Sequence, residues 1–308
     1  MFLASSEALI RFKIDSVSAF EHSVEIYYRT SASDIVLGDS IPANAVLPGT
    51  SELVNLAVPG EKTPQTRIKV EGYFRDRAPR RAIIGVHFQT LRRGLFEEDH
   101  RAIYLMGSRA PLRILEEKHR SWLGRYWATF LSLKSFSSHW IVLPFGGYLR
   151  RGEDNFRYRK SSPQERRKLA KSEVGAVRFV DNETTRRNLV MLESTVRLLS
   201  GKGAEVCLVT FPFAPDFVEA MREVGTEVVV FDFFEKIAGK HGGKFVNYWD
   251  KVAGVDQAST WMANQNHLNE DGARHFGPKA YRDCFGVPST SLEWNFLKSN
   301  QTHSPWGG

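Results

Sequence analysis

The sequence predicts an α/β fold: a three-layer sandwich with a central parallel sheet of about five strands. Three observations predict it. Short, apolar, β-branched-rich segments recur along the chain. Helical patterns separate many of them, and strands alternating with helices imply parallel strands with helices on both faces. The chain has 308 residues, enough for one large α/β domain or two small ones.

The strand candidates, in order, are Asp34–Leu37, Leu53–Leu56, Arg81–Val86, Glu205–Thr210, Glu227–Phe231 and Lys244–Tyr248. A helix over Thr63–Phe74 precedes the third of these. Thr184–Leu199 is amphipathic, with Leu189, Leu192, Val196 and Leu199 on one stripe, and it stops at Gly201. Ala214–Val224 follows Pro212 and stops at Gly225. In such a fold functional residues are expected at the carboxyl ends of the strands. Ser40, Gly60 and His87 all fall there.

The middle of the chain breaks the pattern. Residues 95–180 read as a mostly helical insertion. Trp122, Tyr126, Trp127, Phe130, Phe136 and Trp140 crowd its first half, and a basic stretch, Arg150 to Lys171, follows. Two readings stay open. One is a helical cap with core aromatics and a solvated basic segment; the other is a lid that touches a membrane or an acyl chain, with a basic rim for an anionic polymer or membrane surface. Residues 1–33 form an N-terminal helical segment whose brief apolar start, Met1-Phe2-Leu3-Ala4, lacks the basic region of a signal peptide and reads as the candidate stump of a membrane anchor. Residues 34–290 form a single domain, and 291–308 a flexible tail.

Composition bounds the function class. A hydrophobic content of 42% excludes a disordered chain. The net charge of +7 fits an acidic partner and fits equally a merely basic soluble protein. Two cysteines, Cys207 and Cys284, make no disulfide framework, and Cys207 reads as a buried strand residue. No phosphate-binding loop, dinucleotide fingerprint or metal-spaced cluster is present, so no cofactor is expected. Nucleic acid is an unlikely partner: only the basic insertion speaks for it.

The residues that carry chemistry are Gly38-Asp39-Ser40, just past the first strand, and His267, followed by Leu268-Asn269-Glu270-Asp271-Gly272. A serine lifted out of a strand end, with a histidine to take its proton, builds an acyl-transfer site. Asn269 reads as a helix N-cap rather than a catalytic group. Pro59-Gly60 is a strong turn dipeptide, and Gly60 also suits close approach of substrate to the backbone.

Four patches resemble the SGNH (GDSL-type) hydrolase superfamily, and within it the envelope-associated acyltransferase-like members of the DltD and alginate-acetylation kind. They are Ile35-Val36-Leu37-Gly38-Asp39-Ser40, Val54-Asn55-Leu56-Ala57-Val58-Pro59-Gly60, Ile83-Ile84-Gly85-Val86-His87-Phe88-Gln89, and Asn264-Gln265-Asn266-His267-Leu268-Asn269. The resemblance covers roughly residues 34–90 and 200–280. It implies an SGNH, flavodoxin-like fold. It also implies a serine-dependent esterase or O-acyltransferase acting on cell-envelope glycan, in the envelope or periplasm. Ser40 would be the nucleophile, His267 the base and Asn264 its orienter. Gly60, with Gln89 or His87, would help hold the oxyanion beside Asp39 and Ser40. Two departures matter: the family's usual aspartate three residues before the histidine is Asn264, and its oxyanion asparagine is missing after Gly85. They motivate the alternative, a catalytically degenerate relative acting as a glycan-binding or assembly module.

Overall fold

The computed structural model describes residues 32–48, 52–73, 78–92, 140–142, 148–150 and 157–287. The candidate anchor stump, the aromatic run from Trp122 to Phe136 and the tail lie outside these residues.

Five strands form one all-parallel sheet: β1 (Asp34–Leu37), β2 (Leu53–Asn55), β3 (Arg81–Gly85), β6 (Glu205–Thr210) and β7 (Lys244–Asn247). Their spatial order is β2-β1-β3-β6-β7. Register is direct: Asp34 lies between Leu53 and Arg81, and Ile83 faces Cys207. Strands buried on both faces read as near-continuous apolar runs, and the four residues of β1 are all buried, the charge of Asp34 being paired with Arg80. The order reverses between β1 and β3. In doubly wound sheets that reversal opens a crevice beyond the strands' carboxyl ends, where ligands bind.

The helices are α1 (Ser40–Ala45), α2 (Thr63–Tyr73), α3 (Phe88–Arg92), α4 (Arg157–Lys160), α5 (Pro163–Val177), α6 (Glu183–Gly201), α7 (Pro215–Val224), α8 (Glu227–Lys240), α9 (Gly254–Trp261) and α10 (Glu270–Phe285). Helices α2, α3 and α8 pack on α6, while α1 and α9 pack on α10. The amphipathic stripe predicted for α6 is the buried one: Leu192, Val196 and Leu199 are inside, and Leu189 packs against the core. Beside α3, Phe88, Phe213, Phe217, Phe231 and Trp249 make a ring cluster with centroids 4.8–6.3 Å apart. Each fully buried ring contributes about 2–3 kcal/mol from burial alone.

The strand expected at Glu227–Phe231 is a correction: these residues open α8. Val-Val-Val-Phe favours a strand locally, but over fourteen residues Val230, Phe234, Ile237 and Ala238 fall on one helical stripe and are buried. Val228 and Val229 face solvent, and Asp232 pairs with Lys236 one turn on.

Within the insertion, Trp140–Val142 (β4) and Tyr148–Arg150 (β5) pair antiparallel, so its described part is not wholly helical. The end of the basic stretch forms α5. Ser162 and Glu165 cap it reciprocally, with Pro163 at its first position. Arg166 is not solvated as the stretch suggested. It is buried, lies over the Tyr158 ring and pairs with Asp216, which also accepts from the Tyr158 hydroxyl at 2.6 Å.

A disulfide joins Cys207 in β6 to Cys284 in the last turn of α10. Cys207 is fully buried, as its strand context predicts. Two cysteines make one bond and no framework, and the pairing itself was not read from the sequence. Among the described residues no helix is long and apolar enough to cross a membrane.

Candidate active site

The serine is set by the turn that leaves β1. Gly38 has φ +127°, a conformation that side chains rarely adopt, and a Cβ there would also meet Pro42 Cγ at 2.7 Å. Asp39 follows in extended conformation as the N-cap of α1, its Oδ1 accepting from the Ile41 amide at 3.1 Å. Ser40 is the first residue of α1. Pro42 sits in the first turn, where a missing N–H costs nothing, and its ring packs on Gly85 of β3. The far end of α1 is tied to β2 by Asn55. Its buried amide donates to Pro42 O at 3.0 Å and Val46 O at 2.6 Å, and its carbonyl accepts from the Ala57 amide at 3.0 Å. The short helix is thus held by β1, β2 and β3 together.

The histidine is set by a pinched loop between α9 and α10. Met262 and Leu268 form an antiparallel bridge, and the Ala263 amide donates to His267 O at 2.8 Å. Asn269 caps α10 through the Gly272 amide at 2.9 Å, the structural role its sequence context predicts. Inside the loop, Asn264 Oδ1 accepts from the amides of Asn266 and His267 at 3.0 and 2.9 Å. These two donors identify that atom as the oxygen. The same oxygen lies 3.1 Å from His267 Nδ1. An oxygen can only accept, so Nδ1 carries the proton and Nε2 keeps its lone pair. Nε2 lies 2.8 Å from Ser40 Oγ. A hydroxyl donating to a neutral imidazole, itself oriented by a third group, is the arrangement that prepares a nucleophile.

The loop is anchored from outside as well. Gln265 O accepts from the Ala214 amide at 2.9 Å, and Gln265 Nε2 donates to Arg166 O at 3.2 Å. Asp256 and Asp271 lie in the first turns of α9 and α10. The acceptor at His267 Nδ1 is Asn264.

The remaining predicted site residues divide. Gly60 occupies a turn closed by the Glu61 amide on Val58 O at 3.0 Å, and its φ of +82° explains the glycine. His87 is buried, and its Nε2 lies 2.8 Å from Asp39 Oδ2. Gln89 lines a small cavity behind the nucleophile turn, shared with Gly38, Asp39, Glu61, Thr66 and Thr195. Beneath that cavity Glu61 and Lys69 form a fully buried ion pair, and Thr66 donates to Glu61 at 2.7 Å. Burial pushes the Glu61 carboxyl up and the Lys69 ammonium down, and each partner opposes the other's shift.

No family model matches the chain, and comparison with curated proteins finds no similar one. Function is carried by the side chains themselves. The described residues include no cluster of three or more metal-ligating groups. What they bring together is Ser40, His267 and Asn264, from opposite ends of the chain. Sequence reasoning missed the holding residues Asn55 and Arg166. An asparagine inside the apolar run Leu53–Val58 was the available signal for the first, since a polar side chain in a buried strand needs partners.

Proposed function

We propose that the protein is a serine-dependent acyl-ester hydrolase or O-acyltransferase of SGNH type, acting on cell-envelope glycan. The observation that carries this reading is the 2.8 Å contact between Ser40 Oγ and an imidazole whose tautomer Asn264 fixes. The polymer and the envelope setting rest on the sequence resemblance. Ser40 attacks the ester carbonyl as His267 Nε2 takes its proton. The backbone amides of Ser40 and Gly60 hold the oxyanion. His267 then gives the proton to the departing alkoxide, leaving an acyl-serine. Water or a sugar hydroxyl, deprotonated by His267, releases the acyl group and restores Ser40. The disulfide is compatible with an oxidising, extracytoplasmic compartment, which favours the periplasm or envelope surface.

A second reading has one observation in its favour. Asn264 orients His267 but offers no charge to the imidazolium, and in a serine-protease triad that replacement costs about four orders of magnitude in rate. A degenerate relative that binds glycan or serves assembly fits such a site. A fluorophosphonate probe separates the two. An enzyme labels as wild type and loses labelling in both Ser40→Ala and His267→Ala. Absence of labelling in folded wild type would transfer the case to the binding module.

A further inference from the structure

We propose that His87 is a positioning residue for the nucleophile: it holds Asp39, whose carboxylate caps the helix that Ser40 opens. The inference rests on the serine-enzyme reading above. It removes His87 from the oxyanion site, where its place after Gly85-Val86 suggested it.

The geometry assigns every atom of the link. His87 Nδ1 lies 3.3 Å from the Gln89 amide, which can only donate. Nδ1 is therefore the acceptor, the neutral ring carries its proton on Nε2, and Nε2–H donates to Asp39 Oδ2. The other carboxylate oxygen, Oδ1, takes the Ile41 amide. One imidazole thus ties the first turn of α3 to the N-cap of α1. The ring itself cannot drift. It is 1% exposed and packed against Phe213. Its backbone amide donates to Thr90 Oγ1 at 2.9 Å, and Thr63 Oγ1 donates to Thr90 O at 2.7 Å.

The neighbourhood makes the link matter. Asp39 and Glu61 line the same small cavity, where Glu61 pairs with Lys69. A buried carboxylate that loses a donor beside a second carboxylate either takes up a proton or turns to water. Either change weakens its hold on the Ile41 amide and lets the first turn of α1 rotate. Ser40 Oγ then moves relative to His267 Nε2, and displacements of about 1 Å at a reacting atom cost on the order of a hundredfold in rate. The effect falls on the chemical step and not on substrate binding, because His87 is buried away from substrate.

The test compares wild type, His87→Ala and His87→Gln with a fluorophosphonate probe. Glutamine places an N–H near the former Nε2 position. Labelling amplitude counts folded molecules, and the rate constant reports the site. The expected result is a rate constant at least about tenfold lower in His87→Ala at unchanged probe affinity, restored to within about threefold in His87→Gln. A merely structural role would lower amplitude or melting temperature and leave the rate constant alone. Hydrogen exchange at the Ile41 amide supplies a readout independent of reactivity: faster exchange in His87→Ala, restored in His87→Gln. Unlabelled wild type would sink the enzyme reading, and unchanged Ile41 exchange would then sink the link itself. Labelled wild type with His87→Ala equal to it would overturn the positioning role alone.

Discussion

Asn264 accepts three N–H groups on one oxygen, so its carbonyl orients the imidazole as an aspartate would, without the charge. Asn264→Asp keeps every one of those contacts. The carboxylate stabilises the imidazolium, and the expected outcome is probe labelling at least about tenfold faster, a fraction of what the reverse replacement costs in a protease triad. The same charge raises the proton affinity of His267. A general base works only when neutral, so the acid limb of the pH–rate profile moves to higher pH in the variant. Unchanged labelling across the pH range would show that Asn264 does not orient the working base. Ser40, His267 and Asn264 were legible in the sequence because each stands in a short motif beside an element end. His87 was legible as a residue but not in its role. Its position after β3 is visible in the sequence; the direction of its ring is set by Phe213 and Gln89, which no local pattern reveals.

At the scale of elements, α1 is six residues long and too short to be stable by itself. It exists because β1 leads into it, Asn55 closes its end, and Pro42 rests on a strand that has no side chain at the contact. A Cβ on Gly85 would stand 2.4 Å from Pro42 Cγ. β3 is central in the sheet and cannot yield, so α1 must. Gly85→Ala is expected to cost about 1–3 kcal/mol in urea unfolding and to slow probe labelling as well. A loss of stability with an unchanged labelling rate would show that α1 tolerates displacement without moving Ser40. The five strands of the parallel sheet were readable to within a residue, since parallel strands read as short, near-continuous apolar runs. The misread strand at Glu227–Phe231 shows the limit of a short window. Four β-branched and aromatic residues in a row fit either element, and only the spacing of Phe234, Ile237 and Ala238 behind Val230 decides for the helix.

For the whole molecule, the bond between Cys207 and Cys284 fastens the end of α10 farthest from His267 to a core strand. It closes a loop of 77 residues that carries the base. The chain-entropy relation for a loop of that length gives about 4.5 kcal/mol of stabilisation. Reduction, or Cys284→Ala, is expected to lower the unfolding free energy measured in urea by that amount, and the midpoint with it, with probe labelling retained below the transition. An unchanged midpoint would show that the oxidised pair leaves the unfolded chain unconstrained. The pairing was not legible beforehand: two cysteines far apart in sequence become neighbours only when α10 has docked on β6. The separation of Ser40 from His267 is larger still, 227 positions. During synthesis the serine emerges early and waits as an ordinary alcohol. Its proton acceptor arrives only 227 positions later, and it is in place only when α10 has settled. Under the serine-enzyme proposal, reactivity is therefore a late property of this chain, withheld from anything the unfinished polypeptide meets.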